Sequence, residues 1–152
     1  HGPCQAFQSP TQGFKWFINR FPFLHTGHES GEFALFIHHP SLAVGVDIEQ
    51  IRPQLARIYP RFCNAKELAA LGPDPNLETL LLIWCAKEAL YKAIGQKGTD
   101  FREHLHLTVW PTDTNIAEGK MEANITLTDF EQACTLQFLR WDGYAVVWVA
   151  LG

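Results

Sequence analysis

Apolar and polar positions change period along the chain. Leu42 to Glu49 alternate with a period of two: Leu42, Val44, Val46 and Ile48 fall on one face, Ala43, Gly45, Asp47 and Glu49 on the other. That spacing predicts a strand over Leu42–Ile48. A second strand is expected at Phe33–Ile37, joined to it by a turn around His39-Pro40-Ser41. Residues 1–22 have no clear period apart from a short strand at Phe14–Ile18. Pro53 closes a loop, and Leu55–Leu71 carries helical spacing with an interruption at Pro60. Gly72-Pro73-Asp74-Pro75-Asn76 breaks the chain, with Asn76 placed to cap a helix from Leu77 to Ile94 that Gly95 ends. Leu80-Leu81-Leu82-Ile83-Trp84 is apolar around its whole circumference, the mark of a central helix. Strands are expected at Leu105–Trp110, Ala123–Leu127, Thr135–Leu139 and Tyr144–Leu151. Strands, then helices, then an antiparallel meander make an α+β chain, read as one domain over 1–152.

Composition removes several classes of function. Apolar residues make up 47% and charged residues 18%, which excludes a disordered chain. The formal charge of −4 and a pI near 5.9 argue against general nucleic-acid binding. No apolar run approaches the roughly 20 residues that span a bilayer. Cysteines at 4, 63, 85 and 134 form no C-x-x-C, so a zinc ribbon or redox motif is not expected. With no signal-peptide pattern and free thiols expected, the chain reads as cytoplasmic.

Candidate chemistry begins at Gly45-Val46-Asp47-Ile48-Glu49. Glycine weakens a strand, and close approach of a ligand or backbone is the usual compensation. Two carboxylates on one face repel unless something positive lies between them, and a hard divalent cation with oxygen ligands fits. The plainer reading is a strand running into a solvated acidic turn, and this segment alone favours it. Glu88 is on the same helical stripe as Leu80, Leu81 and Trp84, where a carboxylate is costly unless paired or metal-bound. The plain alternative there is a Glu88–Lys92 surface pair, worth about 0.3–0.5 kcal/mol. Arg52, Arg57, Arg61 and Lys66 occur with no acidic residue among them, suiting an acidic helical partner or simply a solvated helix face. His25, His28 and His38-His39 match no common zinc spacing. A phosphate-donating role suits His28, with an ordinary surface histidine as the alternative.

Taken together, Val44-Gly45-Val46-Asp47-Ile48-Glu49 and Trp84-Cys85-Ala86-Lys87-Glu88-Ala89-Leu90-Tyr91-Lys92 resemble the two signature motifs of the 4′-phosphopantetheinyl transferases. That family pairs a G-[VI]-D stretch with W-[SC]-x-K-E-[AS]-x-x-K some forty residues later; Asp47 and Glu88 are 41 positions apart. Arg61-Phe62-Cys63-Asn64-Ala65-Lys66-Glu67 resembles the segment found between them. The similarity runs over roughly residues 28–150, with 1–27 weakly matched, and is closest to the second half of the type that activates surfactin synthetase. Thr26-Gly27-His28-Glu29-Ser30-Gly31 stands where the family has S-x-S-H-S, with Glu29 in place of a serine. Gly13-Phe14-Lys15 is an echo of the family's G-K-P.

The resemblance implies an antiparallel sheet packed on a central helix. It also implies Mg²⁺-dependent transfer of the phosphopantetheine arm of coenzyme A to a serine of an acyl or peptidyl carrier protein. Fatty acid, polyketide and nonribosomal peptide biosynthesis are the pathways such carriers serve. By that likeness Asp47, Glu49 and Glu88 hold the metal, and Lys92 neutralises the departing phosphate. Lys87, Lys92, His28 and Lys15 contact coenzyme A, and Glu67 or Glu88 takes the serine proton. The carrier docks near Arg52, Arg57 and Arg61. Because the surfactin-activating type has two similar halves and this chain matches one, a homo-oligomer is implied. A non-catalytic coenzyme A or carrier-binding module of the same fold is the alternative, and an unrelated metal-dependent phosphohydrolase a third.

Overall fold

The computed structural model describes residues 43–152 in full and, before them, the backbone of three strands: β1 (Gln5–Gln8), β2 (Lys15–His25) and β3 (His28–His38). These form an antiparallel sheet in the order β1-β2-β3. Both β2 and β3 extend beyond the runs expected at Phe14–Ile18 and Phe33–Ile37. Pro22 lies within β2, opposite Gly31 and past the stretch paired with β1. The side chains of Lys15 and His28 lie outside the described residues, as do Glu29, the turn at His39-Pro40-Ser41 and Cys4.

The second sheet has five antiparallel strands in the order β4-β8-β7-β6-β5. They are β4 (Ala43–Gln50), β5 (Leu105–Val109), β6 (Glu118–Leu127), β7 (Phe130–Trp141) and β8 (Tyr144–Leu151). β6 and β7 are longer than their apolar segments because continuous pairing from Glu118↔Leu139 to Leu127↔Phe130 carries polar residues into the ladder. Asp142 (φ 42°) and Gly143 (φ 75°) make the tight β7–β8 turn, where positive φ suits Asp-Gly.

Three helices follow β4. α1 (Leu55–Phe62) and α2 (Ala65–Leu71) come from the run expected to break at Pro60. Instead Pro60 stays inside α1, and the break falls at Cys63-Asn64. There Cys63 is extended, and Asn64 opens α2 with a capping box: its side chain accepts from Glu67 N at 2.8 Å while Glu67 Oε1 accepts from Asn64 N at 2.7 Å. α3 (Leu77–Ile94) has the expected bounds, capped by Asn76 and ended by Gly95 in the left-handed region. Leu80, Leu82, Ile83, Ala86 and Leu90 are buried, and α3 lies against β4 and β8 with Phe138, Val147 and Met121 completing the core. The expected antiparallel sheet on a central helix is the observed one.

Cys63, Cys85 and Cys134 are free thiols. Burial pushes Cys63 up to about 12 and Cys134 up to about 11. At pH 8 only about one Cys134 thiol in a thousand is therefore ionised. Peptide mapping after iodoacetamide treatment of the native protein is expected to find these three positions essentially unlabelled at pH 8. Labelling of Cys134 should rise about tenfold per pH unit above that. Rapid native labelling of Cys63 or Cys85 would contradict the packing.

Candidate active site

The alternation in β4 sorts its residues as the period implied, and the small and acidic face, not the wholly apolar one, turns to α3. Gly45 allows this. A Cβ at that position would lie 1.9 Å from the main-chain oxygen of Ala89 and 2.6 Å from the nitrogen of Ala93. The compensation for a glycine in a strand is thus the backbone of α3, pressed onto β4. The same contact sets two residues further along β4 beside the next turn of the helix.

Asp47 is the first of them. It is buried, and its Oδ1 accepts from Lys92 Nζ at 2.6 Å. Lys92 also donates to the main-chain oxygen of Val46 at 3.2 Å and is half exposed. Asp47 Oδ2 is buried and has no hydrogen-bond partner among the described residues. Behind the strand, the Cys85 thiol lies 3.1 Å from the Asp47 main-chain oxygen and 3.6 Å from that of Ala145, pinning α3 to β4 and β8.

Glu49 continues the acidic line. Its Oε1 accepts from Trp84 Nε1 at 3.3 Å, and its Oε2 is 3.7 Å from Arg52 Nη2. Burial first, then the neighbouring Asp47 carboxylate, push the Glu49 carboxyl up to about 7, against the opposing pull of Arg52 and Trp84. Glu88 is half-buried on α3, and its carboxyl is also raised, first by burial and then by Asp47, while Lys92 and Arg52 oppose the shift. Asp47 is therefore the charge that both Glu49 and Glu88 feel, with Lys92 and Arg52 opposing it. The Glu88–Lys92 surface pair is not what Lys92 forms; its close partner is Asp47.

This arrangement fits a hard divalent cation. A buried carboxylate oxygen without a donor calls for a proton, water or ion, and crowded carboxylates are relieved by positive charge. Among the described residues no three His, Cys, Asp or Glu side chains close into a ready cage. Mg²⁺ needs no such cage, since it takes one or two carboxylates and fills its octahedron with water and phosphate oxygens. Asp47, with Glu49 or Glu88, could supply those one or two carboxylates.

Two residues expected at the chemistry are elsewhere. Glu67 and Lys87 are fully buried and paired with each other at 2.7 Å. Lys87 Nζ also donates to the main-chain oxygens of Phe62 at 2.6 Å and Phe101 at 2.9 Å, which uses all three of its donors. Glu67 Oε2 accepts from Leu107 N at 2.8 Å. An ammonium so enclosed has no face to offer coenzyme A, and a carboxylate so occupied has none for a serine hydroxyl. The reason lies in helical geometry: Lys87 precedes Glu88 by one position, about 100° around α3, so the two cannot share an exposure. Breaking such a pair by removing one partner costs about 3–5 kcal/mol.

Sequence reasoning also passed over Trp84 as a functional group. It forms one wall of a cavity of about 370 Å³ lined also by Ile58, Arg61, Phe62, Asp100 and Phe101, and its indole N–H reaches Glu49. Its place four residues before Glu88 was the available signal. Arg57, Arg61 and Lys66 are exposed on α1 and α2, whereas Arg52 is tied to Glu49 and lies 6.0 Å over the Trp84 ring.

Among the described residues no helix is long and apolar enough to cross a membrane. Comparison with curated proteins finds no match to the chain. The family model described as 4′-phosphopantetheinyl transferase superfamily matches residues 43–149. That stretch runs from β4 into β8, well over half the chain, and takes in every residue of the acidic cleft. On that match, the chain belongs to the 4′-phosphopantetheinyl transferase superfamily.

Proposed function

We propose that this chain transfers the 4′-phosphopantetheine arm of coenzyme A to a serine of an acyl or peptidyl carrier protein, with Mg²⁺ as cofactor. The observation that carries this reading is the buried Asp47 held by Lys92, with Glu49 and Glu88 both within reach of its charge, in the part of the chain matched to the family.

Bound Mg²⁺ supplies charge neutralisation for the pyrophosphate. Asp47, Glu49 and Glu88 would hold it, and the half-exposed ammonium of Lys92 would add positive charge for the same phosphates. The serine oxygen attacks the β-phosphorus of coenzyme A, and the bond to the nucleotide phosphate breaks, releasing adenosine 3′,5′-bisphosphate. Glu88 takes the serine proton, since Glu67 is sealed in the core. A half-buried carboxyl with a raised pKa suits a general base. His28 and Lys15 are assigned to the phosphates and the coenzyme by the motif alone. The exposed Arg57 and Arg61, with Arg52 nearest the acids, are assigned to an acidic carrier helix. A homo-oligomer, proposed from the likeness to one half of a two-half enzyme, would complete the coenzyme site.

Apo carrier protein incubated with the full chain, coenzyme A and Mg²⁺ is expected to gain the mass of phosphopantetheine, and EDTA to stop the gain. No product with fatty acid, polyketide and peptide carriers, with a folded protein, would sink the proposal. Calorimetric binding of coenzyme A without turnover would instead select the non-catalytic module.

A further inference from the structure

Glu67 and Lys87 have no part in the transfer chemistry, yet they are the buried charges on which four segments meet. Phe62 ends α1, and its carbonyl is one of the orphan acceptors of a helix C-terminus, for which a cation is a favourable partner. Phe101 belongs to the connection between α3 and β5, and its carbonyl meets the same ammonium. Glu67 closes the α2 capping box through Oε1 and holds Leu107 N of β5 through Oε2. The side chains of the two residues whose carbonyls are held line the cavity beside Trp84. The Phe62 ring stands 5.0 Å from Trp84 at 61°, and the Phe101 ring 5.4 Å from Trp84 and 5.7 Å from Tyr91. Between them the Trp84 indole N–H reaches Glu49.

We propose that the Glu67–Lys87 pair is the positioning element of the Trp84 cavity and, through the indole, of Glu49. By holding the Phe62 and Phe101 carbonyls on one ammonium, it fixes both rings against Trp84 and so keeps the indole N–H on Glu49. An apolar pair of equal volume can stabilise a core as well as a buried ion pair does. It could not hold two main-chain oxygens from separate connections, and that is the property the cleft uses. This inference rests on reading the cleft as the transfer site.

The test uses the full chain carrying Glu67→Leu and Lys87→Met together, which removes both charges and keeps the volume. If that protein does not fold, Glu67→Gln with Lys87→Met takes its place, which removes the ammonium and keeps an acceptor for the α2 cap. Hydrogen exchange of the Trp84 indole is followed by ¹⁵N NMR, with the resonance assigned from Trp84→Phe. Cooperative unfolding should be retained while indole exchange accelerates at least tenfold. The kcat of transfer should fall at least tenfold, and KM for coenzyme A should move less than threefold. Ile125→Ala, a core lesion away from the cleft, should lower the melting temperature without selectively exposing Trp84. A folded variant in which Trp84 exchange is unchanged overturns the proposal. Faster exchange in a protein whose parent transfers nothing leaves the positioning intact and removes the transfer function instead.

Discussion

Asp47→Asn is expected to lower carrier modification at least about a hundredfold while leaving the melting temperature unchanged or higher. The activity loss follows from preorganised charge: removing one group aimed at a reacting phosphate typically costs two to three orders of magnitude. Asp47 combines three contacts in one side chain, since it meets Lys92, raises Glu49 and raises Glu88. Its neutral isostere keeps the shape but removes the charge that crowds both neighbours. Stability should therefore not suffer, because a buried carboxylate with one unpartnered oxygen beside two others stores repulsion. Activity by mass spectrometry and unfolding by calorimetry decide the matter together. Loss of the fold in Asp47→Asn would assign the acid a structural role.

Gly45→Ala should destabilise the protein by about 3 kcal/mol and lower its melting temperature by about 10 °C. The new Cβ meets Ala89 O at 1.9 Å and Ala93 N at 2.6 Å, both main-chain atoms that no rotamer change can move aside. The helix must back away from β4, and the 2.6 Å contact between Lys92 and Asp47 opens with it. Activity should fall along with stability, in contrast to Asp47→Asn. A control separates this from ordinary overpacking. Ala93→Gly removes only the side-chain contact at 2.9 Å, so it should not rescue Gly45→Ala. Full rescue, or a melting temperature unchanged by Gly45→Ala, would show that the close approach of β4 and α3 is not as tight as described.

Much of this fold is local and was therefore legible. Residues 43–49 of the period-two run form β4, and the Asn76 and Gly95 signals bounded α3 at both ends, since caps act within a turn of the residues that make them. The α1–α2 boundary was misplaced because Pro60 is a conspicuous breaker whereas Asn64-x-x-Glu67 is a quiet one. Yet the capping box satisfies backbone donors, and a proline near the end of a helix forfeits only one bond. In β6 and β7 the ends of the strands follow their partners rather than their own apolar content, so composition underestimated them.

The site divides along the same line. Asp47, Glu49 and Glu88 were candidates from residue type and spacing, because alternation in a strand and the turn of a helix decide which side chains share a face, whereas Lys92 came from the family motif alone. Tertiary structure alone decided which face of β4 meets α3, and that Lys92 pairs with Asp47 rather than with Glu88 one turn away. It also decided that Glu67 and Lys87, adjacent in motif to the working acids, are closed off in the core. The physical reason is that periodicity fixes directions relative to one element's own axis. What a direction points at, solvent, an ion partner or another backbone, depends on how elements far apart in the chain pack, and here that packing is set by the missing side chain of Gly45.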